Sequence, residues 1–258
     1  MRARNHKRPS SFARGGGLAG LGGIVVLAGL LEVAVRIGLV SEHVVPPPSA
    51  IGAGFVGLAR EEGVVWPFAL TIGQAVVATL LGASVGLPIG TLLWLKPPLK
   101  RAFEPWLGAF FGAPLVLLYP LFLVVFGRGY ATSIVVGAIM ASIAIALKTR
   151  EGLSAVPPVL INVGRSFRLR GMGLFAKVIF PAAAPTIFTG FRLGLIYALV
   201  NIIGIEFLTD FGGLGRVVSD TFFKFQIPEM WAAIVLIVLA STLVLSALKG
   251  AERWLRPA

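Results

Sequence analysis

The chain has 258 residues, 57% of them hydrophobic and only 13% charged, against about 25% charged in a soluble domain, so its solvent must be lipid. It has no cysteine, and its two histidines, His6 and His43, lie outside the apolar runs; disulfides, thiolate metal sites and an intramembrane histidine centre are thereby excluded. The net charge of +12 would suggest nucleic acid in a soluble protein, but membrane topology explains it better and no nucleic-acid partner is expected.

Residues 1–17 carry Arg2, Arg4, Lys7, Arg8 and Arg14 without an acid and read as a basic tail. Leu18–Val40 follows, long enough to cross a core that needs about 20 helical residues and longer than the ~7–15 apolar residues of a signal peptide. Pro46-Pro47-Pro48 leads into a surface helix over Ile51–Glu62. The second span is Trp66–Leu95, where Ala78, Gly82, Gly86 and Gly90 recur every four residues, a stripe that lets another helix approach closely. Pro88 predicts a kink near its end.

The third span, Pro105–Phe126, is interrupted by Pro114 and Pro120. Two prolines in one span are tolerated only where neighbours or water satisfy the freed carbonyls. Gly127-Arg128-Gly129 is a tight turn before the fourth span, Tyr130–Leu147. The fifth span is Pro181–Leu208 and the sixth Met230–Leu248, with the turn Gly212-Gly213-Leu214-Gly215 between them and a basic tail, 249–258, after them. The fold expected is all-α and integral to the membrane, with six transmembrane helices.

Six spans put both termini on one side. Of the 23 Lys and Arg residues, 17 fall in the two tails and the segments 96–101 and 148–177; four (Arg60, Arg128, Arg216 and Lys224) fall on the opposite face, and two (Arg36 and Arg192) within spans. By the positive-inside rule both termini and residues 148–180 are expected in the cytoplasm. That last segment holds Lys148, Arg150, Arg165, Arg168, Arg170 and Lys177 against a single acid, Glu151. Its centre, Asn162 to Lys177, reads as a short amphipathic helix with Val163, Phe167, Leu174 and Phe175 as buried positions, broken by Gly171 and Gly173.

The order and spacing of these segments resemble the integral-membrane subunit of a bacterial ABC importer, in the branch serving nitrate, sulfonate and taurine. That family carries a cytoplasmic loop of pattern E-A-A-x3-G-x9-I-x-L-P. Here its register falls on Asn162-Val163-Gly164, then Arg168, then Val178-Ile179-Phe180-Pro181, with departures at Asn162 and Arg168. Thr71 to Gly90, Pro114 with Tyr119-Pro120-Leu121-Phe122, Thr189-Gly190-Phe191-Arg192 and Gly213-Leu214-Gly215 carry the rest of the likeness, which runs from about Pro46 to the C-terminus. The resemblance implies an inner-membrane, multi-pass permease working as a pair of identical copies with two ATP-binding cassette subunits and an extracytoplasmic binding protein. ATP and magnesium are expected on the ATPase partner. This chain has no Gly-x4-Gly-Lys-Ser/Thr loop, binds no cofactor of its own in this reading, and is not itself the enzyme. A short coupling helix between spans four and five is expected to dock on the ATPase through Asn162, Gly164, Arg165, Ser166, Phe167, Arg168, Leu169, Arg170, Gly171 and Leu174.

The blander account of the same stretch is a basic loop held at anionic lipid headgroups. Gln74, Tyr119, Ser142 and Asn201 are polar groups within spans and should face protein or a water-filled path; interhelical hydrogen bonding and a translocation pathway both fit. Arg192 either snorkels to the inner interface or meets an anionic substrate. Glu32 and Arg36, four apart on one helix face, neutralise each other near the outer end. Glu206 is expected near the outer end of span five, solvated. An ion-coupled secondary transporter or channel is the alternative function, and it needs its own intramembrane coupling-ion site. An intramembrane enzyme finds no His/Cys/Asp constellation.

Overall fold

Helical periodicity carries through almost every apolar run. The computed structural model describes residues 12–61 and 63–255, and no strand occurs among them. The helices are α1 (Phe12–Arg36), α2 (Pro48–Glu61), α3 (Val65–Leu95), α4 (Pro97–Gly112), α5 (Tyr119–Phe126), α6 (Tyr130–Ser154), α7 (Pro158–Ser166), α8 (Gly171–Leu174), α9 (Phe180–Thr209), α10 (Gly213–Phe223) and α11 (Ile227–Leu255). A 3-10 turn, Leu115–Leu118, precedes α5, and a π-helical turn, Phe175–Ile179, joins α8 to α9.

Four stretches are long and apolar enough to cross a membrane: Val65–Leu95, Tyr130–Ser154, Gly171–Thr209 and Ile227–Gly250. A fifth is the pair α4 and Leu115–Phe126, bent by 87° at the break. Pro114 causes that bend: it holds the preceding Ala113 extended (ψ 138°) and has no N–H to continue the ladder. Pro120 does no such damage, because it falls in the first turn of α5, where the N–H would be unpaired anyway. Pro88 lies inside α3, which runs as a single helix from Val65 to Leu95. Residues 1–11, most of the basic N-terminal tail, and 256–258 lie outside the described residues.

The centre of the molecule is α6, clasped between α3 and α9. The row Gly82, Gly86 and Gly90 on α3 lies directly on α6: a Cβ on Gly82 would sit 2.6 Å from Ala141 Cβ, and one on Gly86 only 2.5 Å from Ser142 O. On the opposite side Gly152, Gly190 and Gly194 make the same close approach between α6 and α9, against Thr186, Lys148 and Ile145. Without a hydrophobic driving force in lipid, such backbone proximity is what holds spans together. Ala75, Ala78, Leu195, Ala198, Leu199 and Ile202 close the core between α3 and α9.

At the end of the molecule where α3 begins, α2 lies across the start of α11. Gly54 sits on the backbone of Pro228, and Leu58 packs with Val217, Ala232 and Ala233. Glu32 does more than neutralise Arg36. Its carboxylate accepts from Arg36 Nε at 2.7 Å and also from Ser49 N at 3.1 Å and Ser49 Oγ at 2.8 Å, which satisfies an orphan donor at the N-terminus of α2.

Candidate coupling surface and interior polar network

The basic stretch between α6 and α9 does not form one amphipathic helix. Pro157 and Pro158 start α7, with Pro158 in the first-turn position that tolerates it. The helix then ends after nine residues in a closed turn: Arg168 N donates to Arg165 O at 2.8 Å and Leu169 N to Gly164 O at 3.2 Å. This is the double bond pattern that terminates helices through a left-handed residue, and here that residue is Arg168, with φ 60°. The break therefore falls at Phe167–Arg170, ahead of Gly171 and Gly173, and the chain re-enters helix at Gly171 in a new direction.

Because periodicity does not continue through the turn, the burial expected at Val163 and Phe167 is overturned: Val163 is 48% and Phe167 76% exposed. Leu174 is buried and packs with Leu153, Val156, Ile179, Ala183 and Ile187, with Phe175 against the same cluster. Gly164 is the one buried residue of α7; a Cβ there would sit 2.6 Å from Leu174 Cδ1 and 3.0 Å from Val178 Cγ2. Its small size seats α7 on the α8 segment. Ser166 Oγ folds back on Asn162 O at 3.1 Å. The outward face that results carries Val159, Val163, Phe167 and Met172 among Arg165, Arg168 and Arg170, all exposed.

The polar residues expected along a pathway fall in different surroundings. Ser142 Oγ bonds Ile139 O and Asn201 Nδ2 bonds Tyr197 O, each within its own helix. Tyr119 is buried with Leu115, Val136, Met140 and Ile205. Arg192 is half-buried on α9. None of these borders the cavity of about 470 Å³ among α4, α6 and α9, which Glu104, Lys148, Arg150 and Glu151 line instead. There an Arg150–Glu104 ion pair ties α6 to α4, and Lys148 meets Glu151 at 2.7 Å.

Gln74 alone among the five enters a network between helices, and the network is centred on Glu206. The expectation of a solvated Glu206 is overturned: it is 2% exposed. Its carboxylate accepts from Thr71 Oγ1 at 2.8 and 3.0 Å, from Gln74 Nε2 at 2.9 Å and from the backbone N of Gly215 at 3.1 Å. Thr71 Oγ1 in turn accepts from Leu214 N at 2.8 Å, and Ser133 Oγ donates to Gln74 Oε1. The acid is thus wrapped by the first turn of α10, whose exposed amides and positive dipole end favour a negative group. Only glycine fits at 213, where φ is 81° and a Cβ would fall on the carboxylate itself. The sequence signal for this site was an acid seven residues before Gly213-Leu214-Gly215, with Thr71 and Gln74 three apart on one helix face.

Residues 78–258 match the family described as the binding-protein-dependent transport system inner membrane component. The chain is 28% identical over 228 residues to the putative aliphatic sulfonates transport permease protein SsuC of Bacillus subtilis (strain 168), covering 88% of this chain and 83% of that protein. It is 28% identical over 194 residues to the nitrate import permease protein NrtB of Leptolyngbya laminosa, covering 75% and 69%. To the taurine transport system permease protein TauC of Escherichia coli (strain K12) it is 23% identical, covering 92% and 88%. Its fold resembles a chain of the MetNI methionine ABC transporter in an inward-facing conformation, with a TM-score of 0.66 at 23% identity over 76% of this chain and 100% of that one. With the family pattern matched over residues 78–258 and the fold shared, the chain belongs to the inner-membrane permease components of binding-protein-dependent transport systems.

Proposed function

We propose that this chain is the permease subunit of an ATP-driven importer, in which two copies form the translocation pathway by alternating access. The α7–α8 surface seats in a groove of a separate ATPase subunit, where ATP and magnesium are bound. A soluble extracytoplasmic protein delivers the substrate, a small anion or organic solute such as a sulfonate, taurine or nitrate. In this reading α1 is the first of six spans, the bent α4–α5 pair is the third, and both termini lie in the cytoplasm. The observation that carries the proposal is the outward face of α7. A single protomer has no use for Phe167, Val163 and Met172 held in solvent among three arginines by a closed turn, and a partner groove with apolar walls and an acidic rim would cover them. The Glu206 carboxylate is held by Thr71, Gln74 and the α10 amide of Gly215, an arrangement that suits a structural seat.

Co-purification in mild detergent tests this directly. The chain expressed with its neighbouring ATPase gene is expected to yield a complex with equal numbers of the two subunits, lost on deleting residues 165–173. A chain that purifies alone and moves solute in vesicles on an ion gradient would replace the proposal.

A further inference from the structure

Glu206 and the surface of α7 stand at opposite ends of one rod. The helical stretch Gly171–Thr209 is 39 residues long, and Glu206 lies roughly 50 Å along it from Gly171 at 1.5 Å per residue. At the Glu206 end the rod is bonded directly to two other elements, α3 through Thr71 and Gln74 and α10 through the amide of Gly215; Ser133 of α6 and the amide of Leu214 join the network through Gln74 and Thr71. Steric fit enforces the same seat, because Gly215 lies on the backbone of Ile203 and on Glu206, and Gly213 on the carboxylate. The outer side of α10 is itself braced, with Arg216 bridging Asp210 at 2.7 Å and Asp220 at 3.2 Å. A short surface helix held on a buried acid is costly to arrange in a membrane protein, and an intramembrane charge calls for a function. Three donors already engage its two oxygens.

We propose that Glu206 is a positioning residue that seats α10 on the rod, so that load applied by a soluble binding protein to α10 reaches the α7–α8 surface at the far end. This rests on the importer reading for the identity of the load, though not for the seat itself. The seat makes α10, α3, α6 and the outer half of α9 one body. Removing it leaves each helix in place but lets α10 yield locally, and the push is then absorbed at the outer end.

Two variants in the complete complex, reconstituted in lipid nanodiscs, test this. Thr71→Val keeps the shape and removes the acceptor for Leu214 N; Glu206→Gln keeps the volume and removes one acceptor oxygen. Amide exchange at Leu214 is expected to quicken by about ten-fold or more in Thr71→Val, which removes its acceptor, and exchange at Gly215 to quicken in Glu206→Gln, which weakens its acceptor. Binding-protein stimulation of ATP hydrolysis is expected to fall about five-fold or more, the size of a lost coupling between sites, with basal hydrolysis unchanged in Thr71→Val. Stimulation at the wild-type level despite quickened exchange would overturn the proposal, as would unchanged exchange, or a proportional fall of basal and stimulated rates that marks a merely structural role. A wild-type complex that no binding protein stimulates instead sinks the importer reading, and the exchange result still reports whether the seat exists. If Glu206→Gln fails to assemble, Thr71→Val decides the matter alone.

Discussion

Arg168 shows how one residue shapes the candidate coupling surface. It occupies the left-handed position that closes α7, the position where the family pattern has glycine, and holds φ 60° with its side chain in solvent. A residue with a Cβ is less stable there than glycine by about 1–2 kcal/mol. Arg168→Gly is therefore expected to tighten the turn, slowing amide exchange at Leu169 by about five-fold or more; unchanged or faster exchange would show that the arginine side chain holds the turn by other means. The sequence placed Arg168 in the glycine register, but the turn could not be seen in hydrophobic periodicity. Val163, Phe167 and Leu174 share a helical spacing, and only the reversal at 167–170 puts the first two in solvent and the third in the core.

At the scale of elements, the small-residue row on α3 was legible because four-residue spacing of Ala78, Gly82, Gly86 and Gly90 admits one structural use. The matching contributions of Gly152, Gly190 and Gly194 were less visible, since they are spread over two helices and only their pairing across α6 reveals them. Gly86→Leu forces its side chain into Ser142 O and Ile145. Overpacking of this kind costs about 1–3 kcal/mol or more and is expected to lower the melting temperature of the purified chain by about 5 °C or more. Gly73→Leu on the same helix, where a Cβ meets nothing within 4 Å, serves as the control; equal melting of the two variants would contradict the close α3–α6 seam. The interruption at Pro114 was foreseen, whereas the size of the bend, 87°, was not, and α4 is tied to α6 by the Glu104–Arg150 pair. Glu206 was misread because linear position near a helix end says nothing about α10 folding back over it.

A single chain leaves apolar helix faces uncovered. Ile24, Val25, Leu27 and Leu30 of α1 and Val238, Leu239 and Leu243 of α11 remain exposed, as lipid or a second copy would require. In the proposed topology the α7–α8 surface lies on the same side as both tails and the Glu206 network on the other. Contact between the α7–α8 surface and an ATPase is directly testable, because the chain has no cysteine. A single cysteine at Phe167→Cys, in the chain co-expressed with its ATPase, is expected to cross-link to that subunit with a short thiol-reactive photolinker. Trp66→Cys, exposed at the opposite end, is expected to give no such product. Cross-linking from position 66 and not from 167, or from neither in an intact complex, would contradict the account.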